Sequence, residues 1–125
     1  MHTSTGPIIY LVDDDAAVRD SLRTVLEVYD MTVREYGSAR SFLGDCDRSE
    51  PGCLILDLHM PEMSGLELLE ILREQGSALP VIVFTGRGDA TLRDQVARLG
   101  AVDLLAKPVD PDTLLQAIER ALDSR

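Results

Sequence analysis

Tryptophan is absent from this 125-residue chain, and three tyrosines and two phenylalanines are its only aromatics. A folded core must therefore be aliphatic. Two cysteines, Cys46 and Cys53, are too few for a disulfide framework. Cys53 opens an apolar run and reads as a small core hydrophobe, and Cys46 as a helix-end residue. The two histidines, His2 and His59, lie far apart and supply no zinc-ligand pattern. Positive charge is scarce: 12 Lys and Arg stand against 22 Asp and Glu, a formal net charge of −10. A phosphate backbone or an anionic bilayer would repel such a chain, so neither nucleic acid nor membrane is an expected partner. No apolar run approaches membrane-spanning length. Met1 to Pro7 lack the apolar centre of a signal peptide, so a cytoplasmic location is expected.

Hydrophobic residues make up 45% of the chain. That is too many for a disordered segment and enough to bury one core, so a single domain over residues 1–125 is expected. Apolar runs at Ile8 to Val12, Thr32 to Tyr36, Cys53 to Leu56, Pro80 to Thr85 and Asp103 to Ala106 predict five strands. Helical patterns separate them. Val18, Leu22, Val25, Leu26 and Tyr29 share one helical face, and Ser38 precedes a short helix carrying Phe42 and Leu43. Leu66 to Gln75 and Asp89 to Leu99 are helical and stop at Gly76 and Gly100. Asp110 to Leu122 closes the chain with Leu114, Ile118, Ala121 and Leu122 on one face. Asp15 is placed to cap the first helix. Met60-Pro61, Gly65, Gly86 and Gly88 mark loops. Continuously apolar strands alternating with helices imply a parallel sheet covered on both faces. Right-handed crossovers make this an α/β, (βα)5 doubly wound, flavodoxin-like sheet of five strands in the order 2-1-3-4-5.

In that order the chemistry-bearing residues collect at one end. Asp13 and Asp14 follow the first strand, Asp57 ends the third, Thr85 the fourth, and Lys107 follows the fifth. Open α/β sheets bind ligands at the carboxyl ends of their strands. The first and third strands are neighbours about 4.8 Å apart, so three carboxylates converge on the switch point. Clustered carboxylates repel, and a hard, oxygen-liganded cation such as Mg²⁺ suits the set. With a dication and the Lys107 ammonium the local charge is near zero, which leaves room for a phosphoryl group. Asp57 is then the candidate nucleophile. Mg²⁺ would take one phosphoryl oxygen, Lys107 a second, and the Thr85 hydroxyl or backbone N–H groups a third.

Val12-Asp13-Asp14, Leu56-Asp57 with Met60-Pro61 and Gly65 downstream, Thr85-Gly86 and Lys107-Pro108 stand together in this order. They resemble the receiver domain of two-component response regulators, over roughly residues 7 to 123. The stretches from Val12 to Leu22 and from Ser38 to Leu43 resemble the FixJ-like branch. The resemblance implies a phosphoacceptor rather than an enzyme, one that assists its own phosphorylation and dephosphorylation. Asp57 would be the phosphoacceptor and a metal ligand. Asp14 would ligate Mg²⁺ directly, Asp13 largely through water, and His59 through its backbone carbonyl. Thr85 would reposition on activation, Lys107 would pair with Asp57 or its phosphate, and Lys107-Pro108 would be a cis peptide. The implied partner is a sensor histidine kinase. The implied output is a phosphorylation-dependent change, with homodimerisation, on the surface of the fourth helix, fifth strand and fifth helix. Leu104 departs from the pattern, since many members carry an aromatic three residues before the lysine. Here it is expected either to add apolar area beside the fourth helix or to be plain core. No helix-turn-helix follows in these 125 residues. The chain is expected to be a stand-alone regulator or the receiver part of a longer transcription factor.

Other readings compete. Each residue alone has a bland role: Asp57 a turn or cap, Thr85 a strand-end hydroxyl, Lys107 a solvated lysine, Gly65, Gly86 and Gly88 turn residues. A phosphatase with an aspartyl nucleophile needs a second Asp two residues on, where His59 stands. A flavodoxin needs a hydroxyl- and glycine-rich loop after the first strand, where Asp13-Asp14-Asp15 would repel a phosphate. A degenerate receiver, acting only as a binding surface, would not retain the full acidic set with Thr85 and Lys107. Arg87-Gly88-Asp89 resembles an integrin-binding tripeptide by chance.

Overall fold

Alternate residues of a strand point to opposite faces, so an unbroken apolar run can be buried only between two helical layers. The computed structural model, which describes residues 7–45, 51–86 and 90–123, has that architecture. Its elements run β1 (Ile8–Val12), α1 (Ala16–Val28), β2 (Thr32–Tyr36), α2 (Ala39–Asp45), β3 (Gly52–Asp57), α3 (Gly65–Glu74), β4 (Val81–Thr85), α4 (Ala90–Arg98), β5 (Asp103–Ala106) and α5 (Pro111–Asp123). The strands are parallel in the order β2-β1-β3-β4-β5, as the crossover rule requires. The readings placed on Cys46 and on Arg87 to Asp89, including the start of the fourth helix at Asp89, lie outside the described residues.

Two cores result. On one face Tyr10, Val12, Leu54, Leu56, Val81, Val83 and Leu104 meet Phe42, Leu68, Leu72 and Val96 from α2, α3 and α4. On the other, Ile9, Leu11, Cys53, Ile55, Ile82, Phe84 and Leu105 meet Leu26 from α1 and Leu114, Ala117, Ile118 and Ala121 from α5. Each fully buried aliphatic contributes on the order of 1.5–3 kcal/mol. The aromatics are few but clustered: Phe42 packs edge-on against both Tyr10 and Tyr36, at 5.8 and 5.4 Å between centroids. Among the described residues no helix is long and apolar enough to cross a membrane.

Local signals set the element ends. Asp15 caps α1 by accepting the Ala17 N–H at 2.9 Å. Ser64 and Glu67 form a reciprocal capping box on α3. Gly76 and Gly100 follow α3 and α4 with φ of +70° and +92°, a left-handed conformation that glycine tolerates best. One apolar assignment fails: Tyr29 continues the helical period of α1 but is 51% exposed. It is the C-cap of that helix, and the helix ends before the sheet can cover it.

Candidate functional site

The register of the sheet builds the site. Val12 of β1 lies beside Leu56 of β3, so the next residue on each strand, Asp13 and Asp57, emerges at the same edge of the molecule. Asp57 is in turn opposite Phe84, and Thr85 opposite Ala106. Strand-end residues from four different strands therefore meet at the carboxyl end of the sheet.

Asp13 and Asp57 are buried, at 4% and 5% exposure, and Asp14 is exposed. One carboxylate oxygen from each of the three lies within 4.8 Å of the others. Lys107 Nζ reaches both buried acids, at 3.0 Å from Asp13 Oδ2 and 3.3 Å from Asp57 Oδ1. The His59 N–H donates to Asp57 Oδ1 at 3.3 Å. Asp13 Oδ1 accepts the Asp15 N–H at 2.9 Å. An open cavity of about 710 Å³ lies over the group, lined by Asp13, Asp14, Asp15, Asp57, His59, Gly86 and Lys107. Lys107 also borders an apolar cleft of about 490 Å³ between α1 and the β5–α5 loop.

The electrostatics follow from this packing. Burial, reinforced by the Asp13 carboxylate, pushes the Asp57 pKa above the usual carboxylate range. Lys107 and the His59 N–H offset only part of that shift. Burial alone would pull Lys107 down, but its bonds to Asp13 and Asp57 outweigh it and hold the ammonium above its ordinary value. Three carboxylates against one ammonium leave two negative charges uncompensated. An all-oxygen donor set with that excess, open on one side, suits a hard divalent cation that keeps part of its water shell.

The structure brings together Asp13, Asp14, Asp57, His59 and Lys107. Thr85 is buried at the end of β4 and is not among the residues lining the cavity. Its backbone carbonyl accepts the Lys107 N–H at 2.8 Å, so it joins the site through the chain of its neighbour. The Lys107-Pro108 peptide is cis. Leu104 is core: at 6% exposure it packs on the α4 side of the sheet with Val83 and Val96. Its partner Val83 and the period-two alternation direct it inward.

Two residues make contacts for which the sequence reading gave no physical role. Gly65, which it placed in the family motif and otherwise took as a turn residue, is the first residue of α3 and lies directly against the site. A Cβ there would stand 2.2 Å from the Asp57 carbonyl oxygen and 2.8 Å from Leu58 Cα. Arg19 of α1 donates from Nη1 to the Asp13 backbone carbonyl at 2.6 Å. The signal for Gly65 was its place just after a capping serine, where no turn glycine is needed. For Arg19 it was a lone cation one helical turn beyond an acidic cluster.

Comparison with known proteins returns one family. The model of the response regulator receiver domain matches residues 9–119. The response regulator protein TodT of Pseudomonas putida is 43% identical over 115 residues, covering 92% of this chain and 51% of TodT. The transcriptional regulatory protein FixJ of Bradyrhizobium diazoefficiens is 40% identical over 114 residues, covering 91% of this chain and 56% of FixJ. The chain thus spans about half the length of these curated relatives. Among solved structures, FixJ-N superposes with a TM-score of 0.88 at 37% identity, over 96% of both chains. The chemotaxis protein CheY4 of Vibrio cholerae superposes with a TM-score of 0.85 at 25% identity, over 93% of this chain and 98% of that one.

Proposed function

This chain belongs to the response regulator receiver domain family of two-component signalling, and on that premise we propose that Asp57 accepts a phosphoryl group from a sensor histidine kinase and later loses it to water. The observation that carries the assignment is the Lys107 ammonium held between two buried carboxylates, Asp13 and Asp57, at the open end of the sheet.

Asp57 Oδ1 is engaged by Lys107 and the His59 N–H, which leaves Oδ2 for the bond to phosphorus. As that bond forms, the P–N bond of the donor phosphohistidine breaks, and the imidazole leaves with the electron pair and takes a proton. In hydrolysis, water attacks phosphorus, the P–O bond to Asp57 breaks, the carboxylate is regenerated and inorganic phosphate is released. Asp13, Asp14 and Asp57, with the His59 backbone carbonyl, would hold Mg²⁺, which when bound supplies positive charge against the phosphoryl oxygens. Lys107 neutralises a second phosphoryl oxygen, and the Thr85 hydroxyl serves a third. The apolar cleft between α1 and the β5–α5 loop adjoins Lys107 and offers the donor protein a surface beside the nucleophile.

The added charge at Asp57 draws Thr85 inward, biases the segment that follows β4, and alters the α4-β5-α5 surface. That surface then controls a partner, a second copy of the chain or an attached output domain, with transcription as the process regulated. The setting is the cytoplasm, where a kinase and its regulator meet. The test is incubation with acetyl phosphate and Mg²⁺, followed by intact mass. One phosphoryl group is expected on wild type and none on Asp57→Ala. Undiminished incorporation in Asp57→Ala would overturn the assignment.

A further inference from the structure

Asp13 is held at each of its polar groups. Its N–H donates to the Tyr36 carbonyl at 3.1 Å. Its carboxylate oxygens take the Asp15 N–H and the Lys107 ammonium. Its backbone carbonyl takes Arg19 Nη1 at 2.6 Å. The same guanidinium donates from Nε to Glu35 Oε1 of β2 at 3.2 Å. The second Glu35 oxygen is held by Arg23 Nη1, one helical turn further along α1, at 2.6 Å. Arg19 and Glu35 are both largely shielded from solvent, with side chains 19% and 22% exposed.

The geometry points to Arg19 as a positioning residue for the acidic pocket: anchored on Glu35, its guanidinium fixes the Asp13 peptide so that the Asp13 carboxylate stays beside Asp57. The physical need for such a brace is on the page. Asp13 and Asp57 repel, since their carboxylate oxygens lie within 4.8 Å of each other. Rotation of the Asp13 peptide toward solvent would relieve that repulsion and open the site. The bond to Tyr36 holds the peptide before Asp13, and the Asp15 N–H and Lys107 hold its carboxylate. Arg19 adds the restraint on the peptide that follows, through the Asp13 carbonyl. Its planar fork serves two acceptors at once, the Glu35 carboxylate and the Asp13 carbonyl, which a single ammonium could not do with the same geometry. The pocket is then pre-shaped for a cation before one arrives, and residues that orient ligands in this way typically govern metal affinity by about 10–100-fold.

The inference rests on Asp13 lying in a divalent-cation site, and the experiment separates the two. Mg²⁺ is titrated into the full chain, followed by amide chemical shifts, for wild type, Arg19→Gln, Arg19→Lys and Arg23→Gln, well below each melting midpoint. Arg23→Gln is the control, because Arg23 shares the Glu35 anchor but does not touch Asp13. We expect Kd to rise about tenfold in Arg19→Gln and to stay within twofold of wild type in Arg23→Gln. A role confined to pinning α1 on β2 would lower the melting midpoint and leave Kd unmoved, which would overturn the inference. Equal weakening by Arg23→Gln would overturn it too. If Arg19→Gln does not fold, Arg19→Lys decides, and a Kd within twofold of wild type there sinks the brace. Failure of wild type itself to bind Mg²⁺ removes the cation-site reading beneath it.

Discussion

Gly65 abuts the backbone of Asp57: a methyl group at residue 65 would stand 2.2 Å from the Asp57 carbonyl oxygen. The Gly65 N–H also donates to the Leu58 carbonyl at 3.0 Å. The start of α3 is thus seated directly on the strand end that presents the proposed phosphoacceptor. The contact is with backbone, which cannot swing aside as a side chain can.

From this contact, Gly65→Ala is expected to destabilise the fold by about 1–3 kcal/mol, the usual cost of forcing extra volume into a packed site. Helix propensity acts the other way and favours Ala over Gly by up to about 1 kcal/mol, so the steric term should dominate. Urea denaturation measures the loss, and acetyl phosphate labelling of the folded fraction should fall with it. An unchanged urea midpoint would show that α3 can shift without cost.

Asp57→Asn should stabilise the metal-free protein at neutral pH. The folded pKa of Asp57 is raised by burial and by Asp13. Such a group supports the fold below its unfolded pKa, and that support is lost as pH rises through the folded value. An amide keeps the shape and carries no charge to desolvate. The variant's advantage should therefore be large at pH 7 and shrink as pH falls toward the ordinary aspartate range. Denaturation midpoints from pH 4 to 7, in chelator, check this. A constant difference across the range would contradict it.

Mg²⁺ should raise the melting midpoint of wild type, because the ion relieves carboxylate repulsion and binds only the folded cluster. At ten times Kd, linkage gives about 1.4 kcal/mol. Asp14→Asn should need more Mg²⁺ for the same shift. Thermal melts across a Mg²⁺ series, with Asp14→Asn alongside, provide the measurement. A wild-type midpoint insensitive to saturating ion would count against the site.

Leu104→Ala should cost about 2–5 kcal/mol, as for a buried leucine truncated in a core. It is therefore a probe of packing between β5 and α4 rather than of a surface contact. Output through homodimerisation is better read by molecular mass in solution before and after phosphorylation of wild type. An increase on phosphorylation is expected. An unchanged mass, together with unchanged amide exchange in residues 86 to 106, would remove the α4-β5-α5 surface as the output.

What the sequence determined by itself was the periodicity, and through it the fold. Five apolar runs separated by helical patterns admit few chiral packings, and the observed order β2-β1-β3-β4-β5 is the expected one. The acidic cluster and Lys107 were legible for the same reason: once the order of parallel strands is known, their carboxyl ends are known, and so are the residues there. Only the tertiary structure decided matters of approach and direction. That Gly65 touches Asp57, that Arg19 reaches back to the Asp13 carbonyl while resting on Glu35, and that Thr85 meets Lys107 through backbone are contacts between elements. Leu104 shows the limit from the other side. Its identity left surface and core both open, and its inward orientation follows from strand register beside Val83 and from the placement of α4 above it. Local pattern specifies which face of an element is apolar. Which atoms of another element come within hydrogen-bond or van der Waals distance depends on how the layers settle, and that is set by packing across the whole chain.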